Sequence, residues 1–166
     1  SRALLKSAQV RETACGLGEL GWDDSERPGE EWDAGAFDEG QRRWIGPDEV
    51  LKTQTQEAEM GWALDLPCTG ETDAAEGERR LRLTVANARW ARGQEVGGLD
   101  LWGAVVGWSE ESFARCAQEM VALGYRTLVV SGLWGWMKQP GEMCRIVEAV
   151  RQQVGDSVSL HVTGIG

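Results

Sequence analysis

The chain has 166 residues, 42% of them hydrophobic, and a formal net charge of −10, a composition that supports one substantial core and excludes a disordered or fibrous chain. No apolar run approaches the roughly 20 residues that cross a bilayer, and the opening Ser1-Arg2-Ala3-Leu4-Leu5-Lys6 lacks the apolar segment of a secretory signal, so a single cytoplasmic domain over 1–166, with no membrane partner, is expected. The acidity opposes phosphate-backbone binding, which draws its affinity from lysine and arginine, while the scattered Cys15, Cys68, Cys116 and Cys144 and the lone His161 show no metal-ligand spacing, so no metal or cofactor is expected.

Residues 1 to about 46 are the least regular part: Gly16, Gly18 and Gly21 and the acidic, proline-containing run Asp23 to Glu31 read as loop. These glycines fit the letters G-x-G-x-x-G but follow no strand and open no helix, so they carry no dinucleotide site. Pro47 suits a first helical position, Asp48 and Glu49 suit the positive helix start, and Val50, Leu51, Gln54 and Ala58 share a face. The apolar run from Met60 then reads as a buried strand with Asp65 at its carboxyl end, before Leu66-Pro67-Cys68.

Glu78 to about Arg92 is the next predicted helix, with Leu81, Val85 and Ala88 in a stripe, and Gly97-Gly98 breaks the chain before a strand from Leu101 to Val106. Ser109 can cap the helix that follows, with Ser112 at the position a capping box uses and Phe113, Cys116, Ala117 and Met120 as its apolar face; Gly124 ends it. Arg126 to Ser131 reads as a strand, Gly132 to Gly141 as a loop, Glu142 to Val154 as a helix, and Val158 to Thr163 as a last strand. His161, inside that strand, reads as a hydrogen-bonded core residue, and the nine tryptophans read mainly as packing residues.

Strand and helix alternate with crossovers long enough for parallel pairing, which predicts an α/β fold with a parallel sheet. An open doubly wound sheet and a (β/α) TIM-barrel-like sheet both satisfy the pattern. A full barrel typically needs about 250 residues, so this chain would hold an incomplete or truncated one.

Several segments resemble, in order, the tRNA-guanine transglycosylase superfamily. Asp33-Ala34-Gly35-Ala36-Phe37 resembles its D-S-G-G-F turn, and Ile45-Gly46-Pro47-Asp48-Glu49 with Gln54 resembles its L-T-P-E-E helix start. Trp62-Ala63-Leu64-Asp65 falls where the family has a strand ending in a catalytic aspartate, and Gly103-Ala104-Val105-Val106-Gly107 resembles its strand ending in Q-G. Ser131-Gly132-Leu133 is similar to a G-G-L turn, and Leu160-His161-Val162-Thr163-Gly164-Ile165-Gly166 to an L-H-x-x-G-x-G strand. Gly107-Trp108-Ser109 followed by Phe113-Ala114-Arg115-Cys116 looks closer to the deoxypurine-in-DNA protein A branch, which acts on DNA. The similarity runs from about residue 33 to the end. It departs from the family at Val106, where a base-reading glutamine stands, at Ala36, and in the nucleophilic aspartate, which has no counterpart in this sequence.

The resemblance implies a (β/α) barrel that exchanges guanine for a 7-deazaguanine derivative in nucleic acid, with DNA favoured over tRNA. Such exchange needs a carboxylate to attack the sugar, an acid to protonate the departing guanine, and a pocket for the purine edge. Asp65 is the expected acid. Gly35, Phe37, Gly107, Trp108, Ser131, Gly132 and Leu133 are the expected base-binding positions: the glycines would allow close approach to a flat base, and Trp108 or Trp134 would stack on it. Nucleic acid and the deazaguanine base are then the partners, with a partner subunit or further C-terminal segment completing the site. The alternative is a noncatalytic, barrel-derived binding or scaffold subunit.

Overall fold

Three residues on each of two segments, β1 (Ala36–Asp38) and β2 (Arg43–Ile45), pair antiparallel with Phe37 opposite Trp44, inside the stretch read from sequence as irregular. The computed structural model describes residues 36–38 and 43–163; the expected position Gly35 lies outside them. Beyond β2 the chain alternates helix and strand: α1 (Pro47–Glu57), β3 (Met60–Trp62), α2 (Ala74–Arg92), β4 (Asp100–Val105), α3 (Glu110–Ala122), β5 (Thr127–Val130), α4 (Pro140–Val154) and β6 (Ser159–Val162).

The last four strands form one sheet in the order β3-β4-β5-β6, every pair parallel. The fold is therefore α/β, with a four-stranded parallel sheet alternating with helices. Spatial order equals chain order, so among the described strands there is no reversal of the kind that makes the ligand crevice of a doubly wound sheet.

Local chemistry sets the helix boundaries. Pro47 opens α1 where a missing N–H is harmless. The Asp73 carboxylate accepts from the Ala75 and Glu76 amides and starts α2 four residues before the apolar stripe announces it. Ser109 and Ser112 cap each other's backbone at the start of α3, the serine standing in for the usual glutamate or glutamine. Gly124, at φ 90°, ends that helix in the left-handed region that a side chain disfavours. No described helix is long and apolar enough to cross a membrane.

The pleat of the strands separates two clusters. Toward the helices point Val105 from β4 and Leu128 and Val130 from β5, which pack with Leu51 of α1, Leu81, Val85 and Ala88 of α2, Phe113, Cys116 and Met120 of α3, and Ile146 and Val150 of α4. Toward the other face point Trp62, Trp102, Ala104 and Val129, a second cluster built from strand residues alone. Trp62 and Trp102 stack there at 6.5 Å, and the His161 ring lies 4.2 Å from Trp102 at an interplanar angle of 22°. His161 is exposed rather than a core residue, because position 161 alternates out of phase with Leu160 and Val162, which pack toward the helices.

Candidate functional site

β3 stops pairing at Trp62, and Asp65 stands three residues beyond it at the carboxyl end of the sheet. The strand was expected to run on to Asp65. Instead, side chains from α2 take over the backbone groups that the ladder leaves. The Asn87 amide donates to the Leu64 carbonyl at 3.0 Å, the Thr84 hydroxyl accepts from the Leu66 amide at 3.0 Å, and the Arg80 guanidinium donates to the Pro67 carbonyl at 2.8 Å. These three residues recur at helical spacing on the inner face of α2, and Thr84 and Asn87 are each 1% exposed. A buried backbone amide or carbonyl without a partner is costly, so this clasp is what allows the chain to leave the sheet and hold Asp65 at a fixed place.

Both carboxylate oxygens of Asp65 accept hydrogen bonds. The Trp62 indole N–H donates to Oδ1 at 3.1 Å, and the Ser131 hydroxyl donates to Oδ2 at 2.5 Å. Asp65 and Ser131 are both buried, one following β3 and the other β5. The strand between them in the sheet, β4, ends at Val105, whose carbonyl accepts from the Ser131 amide at 2.9 Å. Past Asp65 and Ser131 the two segments stay in register with each other. A Cβ on Gly132 would come 3.0 Å from the Pro67 Cβ and 3.1 Å from the Cys68 carbonyl oxygen; one on Gly135 would come 2.9 Å from the Thr69 Cβ; and one on Gly70 would meet the Trp136 indole nitrogen at 3.1 Å. Residues 65–70 and 131–136 therefore form a seam across the end of β4.

The remaining expected positions are distributed as follows. Gly132 has φ 82° and is occupied on its open side by the chain's own Pro67 and Cys68. Leu133 is fully buried in the helix-side core. Gly107 lies under the start of α3, where a Cβ would come 2.6 Å from the Phe113 amide nitrogen. Trp108 is half-buried against α2, filling the space a Cβ on Gly77 would need at 2.4 Å, with the Arg115 guanidinium 5.7 Å from its ring. Phe37 is placed by its backbone in β1. Asp65 and Ser131 are thus brought into contact with each other, Gly132 lies in the same seam, and Trp108 and Leu133 serve packing.

The clasp of Arg80, Thr84 and Asn87 was not read from sequence. Its signal was present: two small polar residues interrupt an apolar helical stripe, a position they hold when a backbone partner lies across from them.

Burial disfavours the thiolate at both described thiols near the seam. Burial pushes Cys68 up to about 12, and Cys116, whose sulfur accepts from the Val106 amide at 3.5 Å, is likewise pushed up to about 12 by burial. Burial also raises Tyr125, whose hydroxyl donates to the Ala88 carbonyl at 2.8 Å, to about 12. All three folded values exceed their ordinary ones of 9.0 and 10.0. Between those values and about 12 the unfolded chain sheds protons that the folded chain keeps, so stability falls as pH rises. The expected result is full stability below pH 9 and a melting temperature that declines steadily above it. A Cys68→Ala, Cys116→Ala double variant should show a shallower decline, and a flat profile for the parent between about pH 9 and 11 would contradict the assignment.

Among the described residues no three His, Cys, Asp or Glu side chains converge as metal ligands would. No protein-family model matches the chain, and no curated protein matches it.

Proposed function

We propose that the chain is a portion of a (β/α) barrel of the transglycosylase type, exchanging guanine for a 7-deazaguanine derivative in DNA, with tRNA as the alternative substrate. The observation that carries this reading is Asp65: an acid held by two donors at the carboxyl end of a parallel sheet whose strands follow chain order. In barrels built this way, the carboxyl ends of the strands are where substrates bind. The helices pack on one face of the sheet and a second cluster containing Trp62 and Trp102 lines the other, an arrangement that supports reading the two faces as the outside and inside of a barrel wall.

In this reading Asp65 takes up a proton from water and passes it to the departing guanine, or as the carboxylate grips its edge, and the Ser131 hydroxyl and Trp62 indole fix the group's orientation. The nucleophilic aspartate of that family has no counterpart among the segments of this sequence that resemble it.

A second reading, a noncatalytic binding subunit, is favoured by the filled seam. Pro67 and Cys68 occupy the room beside Gly132, and Leu133 and Trp108 are spent on packing. Incubating the protein with labelled guanine and either DNA or unmodified tRNA separates the two. Label entering the nucleic acid supports the enzyme; binding of nucleic acid without label transfer, across the partner subunits tested, supports the second reading.

A further inference from the structure

Helices α2 and α3 enclose a cavity of about 510 Å³ between them, inside the roughly 300–1,000 Å³ range of small-molecule sites. α3 packs more extensively on α4 than on α2, and its gap to α2 is bridged at both ends. At the start of the two helices the Trp108 indole fills the space beside Gly77, and the Glu78–Arg115 ion pair spans from one helix to the other. At their ends the Arg92 guanidinium donates to the Leu123 and Gly124 carbonyls at 3.4 and 3.1 Å, with the Tyr125 ring 5.2 Å away. The floor between these bridges is apolar: Leu81 and Val85 are buried and Ala86 is half-buried. The groove is therefore held open by specific contacts at either end of two well-packed helices.

We propose that this cavity binds a small amphipathic organic anion, its apolar body on Leu81, Val85 and Ala86 and its acid group in the guanidinium forks of Arg82 and Arg89. The charge of the walls selects the occupant. Three guanidiniums, from Arg82, Arg89 and Arg115, and two carboxylates, from Glu78 and Glu119, line the groove. Setting aside the Glu78–Arg115 pair leaves two guanidiniums against one carboxylate, a local positive surplus in a chain of net charge −10. That surplus continues along the helix, because residues 79 to 94 hold five arginines and no acid. Arg82 and Arg89 stand two turns apart on one face of α2, about 10 Å along its axis. Each offers the paired N–H donors that match a carboxylate, sulfonate or phosphate. An inorganic anion would leave the apolar floor wet, and a neutral hydrocarbon would bring no charge to the positive wall, so floor and wall together ask for both parts in one molecule. The inference stands on the helix layer alone and is independent of the chemistry proposed for Asp65.

The test is fluorescence titration with anilinonaphthalene sulfonate, an anion with an aromatic body, and with neutral phenylnaphthylamine as the uncharged counterpart. The proteins are the full chain, an Arg82→Gln, Arg89→Gln double variant, and Ala86→Trp, which fills the floor; melting and sedimentation are measured on the same preparations. The expected result is saturable sulfonate binding by the parent, a roughly tenfold or greater loss of affinity in the double variant, and loss of binding in Ala86→Trp. The parent should hold the neutral probe roughly tenfold or more weakly than the sulfonate, and all three proteins should melt cooperatively. Should Ala86→Trp fold poorly, the double variant decides, because Arg82 and Arg89 are exposed and their replacement leaves the floor intact. Sulfonate binding that is unchanged in the double variant overturns the site, as does equal affinity for the neutral probe or no binding by the parent. A parent that self-associates through the groove, with the double variant monomeric and no sulfonate bound, makes it a protein contact and also overturns the proposal.

Discussion

On the transglycosylase reading, Asp65→Asn in the full-length protein should abolish guanine exchange while leaving the chain folded. The amide oxygen can still accept from the Trp62 indole, and the amide nitrogen can donate to the Ser131 oxygen in place of accepting from it, so the two side-chain contacts the carboxylate makes there survive in altered form. What the amide cannot do is exchange a proton with a leaving base. A positioned acid of this kind is worth about 10²- to 10⁴-fold in rate, so exchange should fall by at least that lower figure. If Asp65 were only a cap on the end of β3, the same change would lower stability by about 1 kcal/mol and leave exchange nearly intact. Melting temperature and label transfer on one preparation distinguish these outcomes, and an unchanged exchange rate removes Asp65 from the chemistry.

The largest loss of stability is expected from Phe113→Ala. Phe113 is fully buried in the first turn of α3, meets Trp136 edge-on at 70°, and has its amide beneath Gly107. It therefore joins the helix layer to both loops at the carboxyl end of the sheet. Truncating a buried phenylalanine costs about 3–5 kcal/mol, a large share of the about 5–15 kcal/mol that holds a domain folded. The urea midpoint should drop accordingly. A loss under about 1 kcal/mol would mean that the site collapses to fill the space, against the packing described.

Much of the layout was legible because it depends on periodicity. The apolar faces of α3 and α4 and the runs of β4 and β5 lie where their spacing puts them, and the alternation of strand and helix gave parallel pairing in chain order. The Ser109 cap was legible for the same reason, as a local interaction between residues three apart. Features decided by distant partners were not. β3 ends early because Thr84 and Asn87, 18 and 23 residues onward, replace its ladder. α2 starts early because Asp73 caps a turn of small residues, and Gly77 in that turn is needed for Trp108, on the far side of β4 in sequence. The 3₁₀ turn after Gly132 carries no period to read, and the exposure of His161 does not follow from its place in a strand, because strand membership alone does not say which face a residue takes. Of the candidate site, Asp65 and Ser131 were each singled out, but nothing in a one-dimensional pattern joins them.

The seam between residues 65–70 and 131–136 joins distant parts of the chain. Asp65 and Ser131 are 66 residues apart in sequence, with α2, β4 and α3 between them. Contacts of such separation carry a closure entropy that is met only once the intervening structure exists. A nascent chain that has completed β3 and α2 but not yet β5 therefore displays an acid without its hydroxyl partner. The carboxylate's setting is in this sense a long-range property of the sheet: the contact with Ser131 exists only once the chain has been built through its third parallel strand.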